Sequence, residues 1–201
     1  PAAYAILNAA WQRQGNGMLN AEDAAAVAQA YGIQAPGSGL ADTPEEAVAL
    51  AESIGYPVAL KLVAPGVVHK ADVGGVALNI TEVAKVHDTT IEMIGAHPDA
   101  QVMVQKMIPP GLEVIVGTQR DPQFGQLVMF GLGGTLVEVL KDVAFRLAPL
   151  SEAEAGAMIA ETAAGQMMQG VRGQPVADIA ATVDVLSRVG QLVRDFPCIA
   201  E

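Results

Sequence analysis

Along this chain the apolar positions recur either about every three to four residues or every second residue, and the switches between those periods mark its elements. An opening apolar segment, Ala2 to Trp11, runs into "QRQGNG", whose glycines and amides read as a linker. "LNAEDAAAVAQAYGI" (19–33) has a helical pattern. Asn20 is placed to cap it, Glu22 and Asp23 favour its positive end, and Gly32 stops it. "DTPEEAVALAESIGYP" (42–57) repeats that grammar with Thr43 as N-cap, Pro44 in the first turn and Gly55 at the end. "VALKLV" (58–63) is then a strand, "GVALNI" (75–80) its returning partner, and "EVAKVHDTTIEMIGA" (82–96) another helix.

Beyond residue 100 the period shortens. "QVMVQKMI", "LEVIVGTQ" and "QLVMFG" read as strands separated by the turn-rich "PPG" and "RDPQFG". "GLGGTLVEVL" joins a glycine turn to a short apolar segment, and "AFRLAPL" reads as one more strand. "SEAEAGAMIAETA" and "VADIAATVDVLSRVGQLVRDF" close the chain as helices, the second long and amphipathic. Helices and hairpin-linked strands alternate in blocks, which predicts an α+β fold of two lobes meeting near Gln101 to Gly111.

Composition narrows the class. At 201 residues and 51% hydrophobic the chain can bury a core. A formal net charge of −11 repels nucleic acid and anionic membrane surfaces, so neither is expected as a partner. No apolar run reaches membrane-spanning length, and the first residues lack the basic start of a secretion signal. The single cysteine, Cys198, excludes an internal disulfide, fits a cytoplasmic protein, and is expected as a small buried hydrophobe. Met103, Met107, Met129, Met158, Met167 and Met168 are expected to fill gaps in the core. His87 and His97 have no metal-like spacing and are expected at the surface. The chain opens on Pro rather than Met, so it is expected to be a piece of a longer polypeptide.

The candidate chemistry concentrates in "PVALKLVAPGVVHKADVGGVALNI" (57–80). Lys61 alternates with Leu60 and Leu62 on a strand, so its ammonium points either to water or into a cleft that takes phosphate. The following loop carries His69, Lys70 and the pair Gly74 and Gly75. Adjacent glycines let backbone N–H groups approach phosphate oxygens, although they also close ordinary hairpins. The spacing is not that of a Walker A loop. "VQKMIPPGLEVIVG" (104–117) is an extended segment able to offer backbone groups to an adenine edge, with Met107 and Ile108 against the ring and Glu113 near ribose hydroxyls. The plain alternative is an edge strand with Glu113 solvated. "MFGLGG" (129–134) is a second glycine corner.

Taken in order, "YGI", "GYPVALKL", "HKADVGGVALNI", "GLEVIVGTQRDPQFG", "VMFGLGGTLVEVLKDVAFRLAPL" and "GVRGQPVADI" resemble the ATP-grasp domain of NDP-forming acyl-CoA synthetases, a family that includes ADP-forming acetyl-CoA synthetase and is related to succinyl-CoA synthetase. The resemblance runs from about Leu19 to Glu201. It implies two lobes with largely antiparallel sheets flanked by helices: a linker at 1–18, a small lobe at 19–104 and an incomplete large lobe at 105–201. It implies that Lys61 meets the ATP phosphates, that 64–75 is the phosphate loop with Lys70, Gly74 and Gly75, that Gln105 to Ile108 form the adenine hinge, and that Glu113 is the ribose-side acid. By the same resemblance His69, with Lys61, is catalytic and relays a phosphoryl group between ATP and a phosphohistidine on another domain.

The implied reaction is acid + CoA + ATP = acyl-CoA + ADP + phosphate. CoA-binding and CoA-ligase domains are implied partners, in the same polypeptide or a partner subunit, and the parent enzyme is implied to be an oligomer. ATP/ADP and Mg²⁺ are the implied cofactors. No metal ligand is assigned within the chain: Glu138 and Asp142 match none, and the ligands are expected beyond residue 201. A non-catalytic, regulatory synthetase-like module of a protein lysine acetyltransferase is the alternative. Lys61, His69, Lys70 and the glycine loop favour the enzyme, and "HKADVGG" with "FGLGG" disfavours a carboxylate–amine ligase.

Overall fold

The computed structural model describes residues 2–14, 17–64, 73–134, 142–171, 173 and 175–201. Its contacts separate the chain into two units, Gln34–Pro109 and a second made of Pro1–Ile33 together with Pro110–Glu201.

In the first unit, β1 (Ser38–Ala41), α3 (Pro44–Ile54), β2 (Val58–Val63), β3 (Val76–Ile80), α4 (Val83–Ala96) and β4 (Gln101–Lys106) follow one another. Local chemistry sets the bounds of α3. Thr43 Oγ1 accepts the N–H of Glu46 at 3.2 Å, Pro44 occupies the first turn, and Gly55, at φ +84°, ends the helix. The four strands form one antiparallel sheet in the order β1-β4-β2-β3. Val58, Leu60 and Leu62 share one face with Val102 and Val104. They pack with Ala47 and Ala51 of α3 and Val86 and Met93 of α4, all essentially closed to solvent. Full burial of each such Val or Leu contributes about 1.5–3 kcal/mol, which fixes the face that β2 turns inward. Lys61 and Gln105, at the odd positions, therefore take the opposite face.

The second unit holds an antiparallel meander of β5 (Val114–Asp121), β6 (Gly125–Leu132) and β7 (Val143–Leu147). The helices α5 (Glu152–Ala160), α6 (Ala163–Met168) and α7 (Ile179–Asp195) supply the cover. Val128, Phe130 and Leu132 of β6 pack with Met158, Leu186 and Val193 in its core. Helices α1 (Ala2–Gln14) and α2 (Ala21–Ala30) belong to this unit as well. Asn20 caps α2 through the N–H of Asp23 at 2.7 Å. Just past α2, the Tyr31 hydroxyl donates to Asp195 at 2.8 Å, its ring meets Phe196 edge-on, and Arg188 donates to its carbonyl at 2.8 Å.

The α+β, antiparallel, helix-flanked reading holds. Several particulars differ. Beside the expected 19–104 lobe, contacts group Gln34–Pro109 as one unit, and the ties from Tyr31 to α7 hold 19–33 with the C-terminal half. The expected linker at 1–18 is helical from Ala2 to Gln14, burying Ala3 and Ala10, with Arg13 paired to Asp23 at 2.6 Å. Cys198 is exposed rather than buried: Gln126 holds the carbonyls of Pro197 and Ile199, and Ile199 takes the inward place. Met158 and Met168 do fill the core, Met103 is buried on the opposite face of the first sheet beside Lys61, and Met167 is 38% exposed on the short helix α6. Among the described residues no helix is long and apolar enough to cross a membrane.

Candidate functional site

Lys61 is partly buried in the middle of β2, and its Nζ donates to Gln105 Oε1 on β4 at 2.7 Å. The register explains the pair: Gln105 lies opposite Ala59 and Met103 opposite Lys61, so the two side chains meet diagonally on one face. Gln105 is a neutral acceptor that orients the ammonium without itself cancelling its charge. β2 thus carries a directed cation beside a polar side chain on the face that does not serve the core.

Past β2, His69 and Lys70 lie outside the described residues, as does Asp72. Gly74 and Gly75 bring the chain back into β3. Gly74 has φ +69°, and an added Cβ there would meet nothing within 4 Å, so its requirement is conformational rather than steric. Gly75 is buried, and its carbonyl accepts the N–H of Leu62 at 2.7 Å, fastening the return to the strand that bears Lys61.

At the end of β4 the chain leaves the sheet within the segment 105–108. The N–H of Lys106 donates to Gly37 at 2.8 Å and that of Met107 to Pro57 at 3.1 Å. Met107 is half-buried and Ile108 is 57% exposed. The Lys106 side chain, which the sequence pattern did not single out, reaches the carbonyls of Gly55 at 2.7 Å and Tyr56 at 3.0 Å.

Glu113 lies in the second unit, exposed and just ahead of β5. Its carbonyl accepts the N–H of Gly133 at 2.8 Å. A Cβ on Gly133 would fall 2.9 Å from the carbonyl carbon of Val114, and one on Gly134, at φ +72°, would fall 2.6 Å from Glu113 Oε2. A Cβ on Gly131 would meet the backbone oxygen of Asp142 at 2.3 Å. The glycines of "FGLGG" are therefore set by close approach, two of them against Glu113 and the residue after it. Asp142 accepts the N–H groups of Ala163 and Ala164 at 3.0 and 3.2 Å, so it adds acceptors at the start of α6, whose N-cap is Thr162. Glu138 lies outside the described residues. Among those residues no group of three His, Cys, Asp or Glu side chains is gathered to hold a metal ion.

The sequence matches a family described as ATP-grasp domain over residues 10–201. It is 45% identical over 189 residues to acetate–CoA ligase (ADP-forming) II subunit beta of Pyrococcus furiosus, covering 90% of this chain and 80% of that subunit. It is 49% identical over 181 residues to acetate–CoA ligase (ADP-forming) I of Archaeoglobus fulgidus, covering 87% of this chain and 26% of that protein. The chain thus spans about a quarter of the longer relative and four-fifths of the separate subunit. A structure of acetyl-coenzyme A synthetase 1 from Ca. Korarchaeum cryptofilum superposes with TM-score 0.85 and 42% identity over 94% of this chain and 84% of that one. That structure is in complex with coenzyme A and Mg-AMPPCP, its phosphohistidine segment pointing towards the nucleotide-binding site. A Pyrococcus horikoshii structure superposes with TM-score 0.88 and 41% identity over 98% of this chain and 85% of that one.

Proposed function

The chain belongs to the ATP-grasp domain family, in the branch found in ADP-forming acid–CoA ligases, and from that premise we propose that it is the nucleotide-gripping part of such a ligase, interconverting acid, CoA and ATP with acyl-CoA, ADP and phosphate. The observation that carries the reading is the Lys61–Gln105 pair, a cation directed on the non-core face of the β2–β4 ladder, with the hinge residues at the end of the same β4.

Bound nucleotide supplies the phosphoryl group; the residues of this chain hold and orient it. Phosphoryl transfer asks a protein mainly for positioning and charge neutralisation. Lys61 and Lys70 neutralise phosphate oxygens, with the exposed backbone of Gly74 able to approach them and Gly75 fastening the return to β3. The hinge from Gln105 to Ile108 takes the base, and Glu113 accepts from ribose hydroxyls. His69, in its neutral form, attacks phosphorus with a ring-nitrogen lone pair while the bond from phosphorus to its previous carrier breaks; transfer onward reverses that bond exchange. The described residues do not by themselves make a Mg²⁺ site, and no step is assigned to the metal.

CoA-binding and CoA-ligase modules complete the reaction, in the same polypeptide or as a partner subunit within an oligomer, and the cytoplasm is the compartment. Both arrangements are in keeping with relatives that are either longer single chains or named beta subunits. The test is ADP- and phosphate-dependent release of CoA from short acyl-CoA substrates by the intact ligase, with ATP formed in equal amount. CoA release that ignores ADP, or no release from any acyl-CoA, would sink the reading.

A further inference from the structure

We propose that Lys106 is a positioning residue for the nucleotide base, acting through its side chain on the segment Gln105–Ile108; the inference rests on the nucleotide-binding reading above. Lys106 is the last residue of β4, and the pleat turns its side chain to the helix-covered face, away from Gln105. There its Nζ donates to the carbonyls of Gly55 at 2.7 Å and Tyr56 at 3.0 Å. Both carbonyls lie just past the last turn of α3, where a helix leaves acceptors unsatisfied and carries partial negative charge. A part-buried ammonium is well matched to that place, because charge-assisted hydrogen bonds are the stronger kind. Gly55 is required there by its φ of +84° rather than by space, since an added Cβ would stand in ordinary contact with Nζ at 3.7 Å.

The backbone fastens the same corner. Met107 N–H donates to Pro57, so three hydrogen bonds join residues 106–107 to 55–57, and Lys106 N–H adds a fourth to Gly37. The free groups begin where this clamp ends. Pro57 has no N–H, so the Met107 carbonyl receives no return bond from that position. The N–H of Ile108 has no partner among the described residues. An open backbone edge discriminates between bases only when it is held still before the base arrives. The corner that Lys106 grips leads directly into β2, the strand of Lys61, so the clamp keeps the base end of the site in register with the phosphate end. Its removal should loosen base recognition and leave phosphate recognition in place.

The experiment compares wild type, Lys106→Met and Lys106→Arg in the intact ligase. It measures affinity for ADP, for GDP and for inorganic tripolyphosphate, a probe with no base. Lys106→Met is expected to weaken ADP about tenfold and to reduce the preference for ADP over GDP by a similar factor. Tripolyphosphate affinity should stay within twofold, and Lys106→Arg should keep most of the preference. A folded Lys106→Met protein with wild-type ADP affinity and base preference overturns the inference, as does an equal loss for ADP and tripolyphosphate. If Lys106→Met does not fold, Lys106→Gln, which keeps an amide donor without the charge, carries the same expectations. Failure of the wild type to bind ADP at all overturns the nucleotide reading and, with it, this one.

Discussion

Replacing Gly134 by alanine separates two demands made on the "FGLGG" corner. The first is conformational. At φ +72° an alanine pays the left-handed penalty of about 1–2 kcal/mol. The second is steric. The new Cβ would lie 2.6 Å from Oε2 of Glu113 and 3.6 Å from its Cδ, and the nearest backbone is not among those contacts. A carboxylate at the tip of an exposed side chain moves more easily than a strand, so the clash displaces the acid and adds little to the loss of stability. Urea unfolding should therefore show a loss near 1–2 kcal/mol. If Glu113 accepts from the ribose, displacing it removes a hydrogen bond to a charged group, about 1.5–3 kcal/mol, or roughly ten- to 150-fold in affinity. Calorimetric titration of the intact ligase with ADP measures that directly. Because the alanine acts on nucleotide through Glu113, Glu113→Ala/Gly134→Ala should bind ADP no worse than Glu113→Ala alone. Additive losses in that cycle, or wild-type affinity in Gly134→Ala, would refute the ribose-side role of Glu113. Gly133→Ala is the contrasting case: its Cβ meets only backbone, at 2.9–3.1 Å, so the start of β5 must shift and stability should fall further.

Three further outcomes are expected. Lys61→Ala should leave the fold intact, weaken ADP by about 1.5–3 kcal/mol and nearly abolish turnover; unchanged affinity on titration would mean that Lys61 does not meet the phosphates. With labelled ATP, the intact ligase should carry acid-labile, base-stable label partly on the peptide holding His69, and His69→Ala should slow phosphoryl exchange while keeping nucleotide binding; full exchange in that variant would remove His69 from the relay. Glu154 is held below the ordinary glutamate range, first by the Ser151 hydroxyl and then by the Ser151 N–H. A carboxyl depressed on folding stabilises above its unfolded pKa, about 4.5, and that stability is lost as pH falls through the lower folded value. Thermal melts of wild type and Glu154→Gln should thus differ at pH 6 and converge on acidification; a gap that does not change with pH would contradict this.

The elements readable from the sequence were those whose cause is local. Asn20, Thr43 and Gly55 name helix ends because a cap bonds within three residues of itself. The start of β2 is readable for the same reason, because the strand follows directly on the Gly55 to Pro57 corner. β1 has no such signal: Ser38, Gly39, Leu40 and Ala41 are indifferent strand formers, and they become a strand because β4 offers an edge to pair with. The allegiance of α2 was equally hidden. Its pattern shows a face to be buried but not what buries it. The deciding hydrogen bond, from Tyr31 to Asp195, spans 164 positions of sequence.

The same distinction runs through the site. Lys61 could be placed because two buried leucines beside it leave its side chain only one face. Lys106 could not, since its partners are carbonyl oxygens, and a sequence does not display which carbonyls a fold leaves unsatisfied. The glycines of "FGLGG" are the instructive case. Read alone they mark only a tight corner after an apolar strand. In the structure Gly133 and Gly134 are needed because the residues packed on them are Glu113 and Val114. A glycine motif can thus be required by the neighbour it makes room for, here an acidic side chain and the backbone that follows it. The carboxylate of Glu113 has its place only because the corner beneath it carries no Cβ.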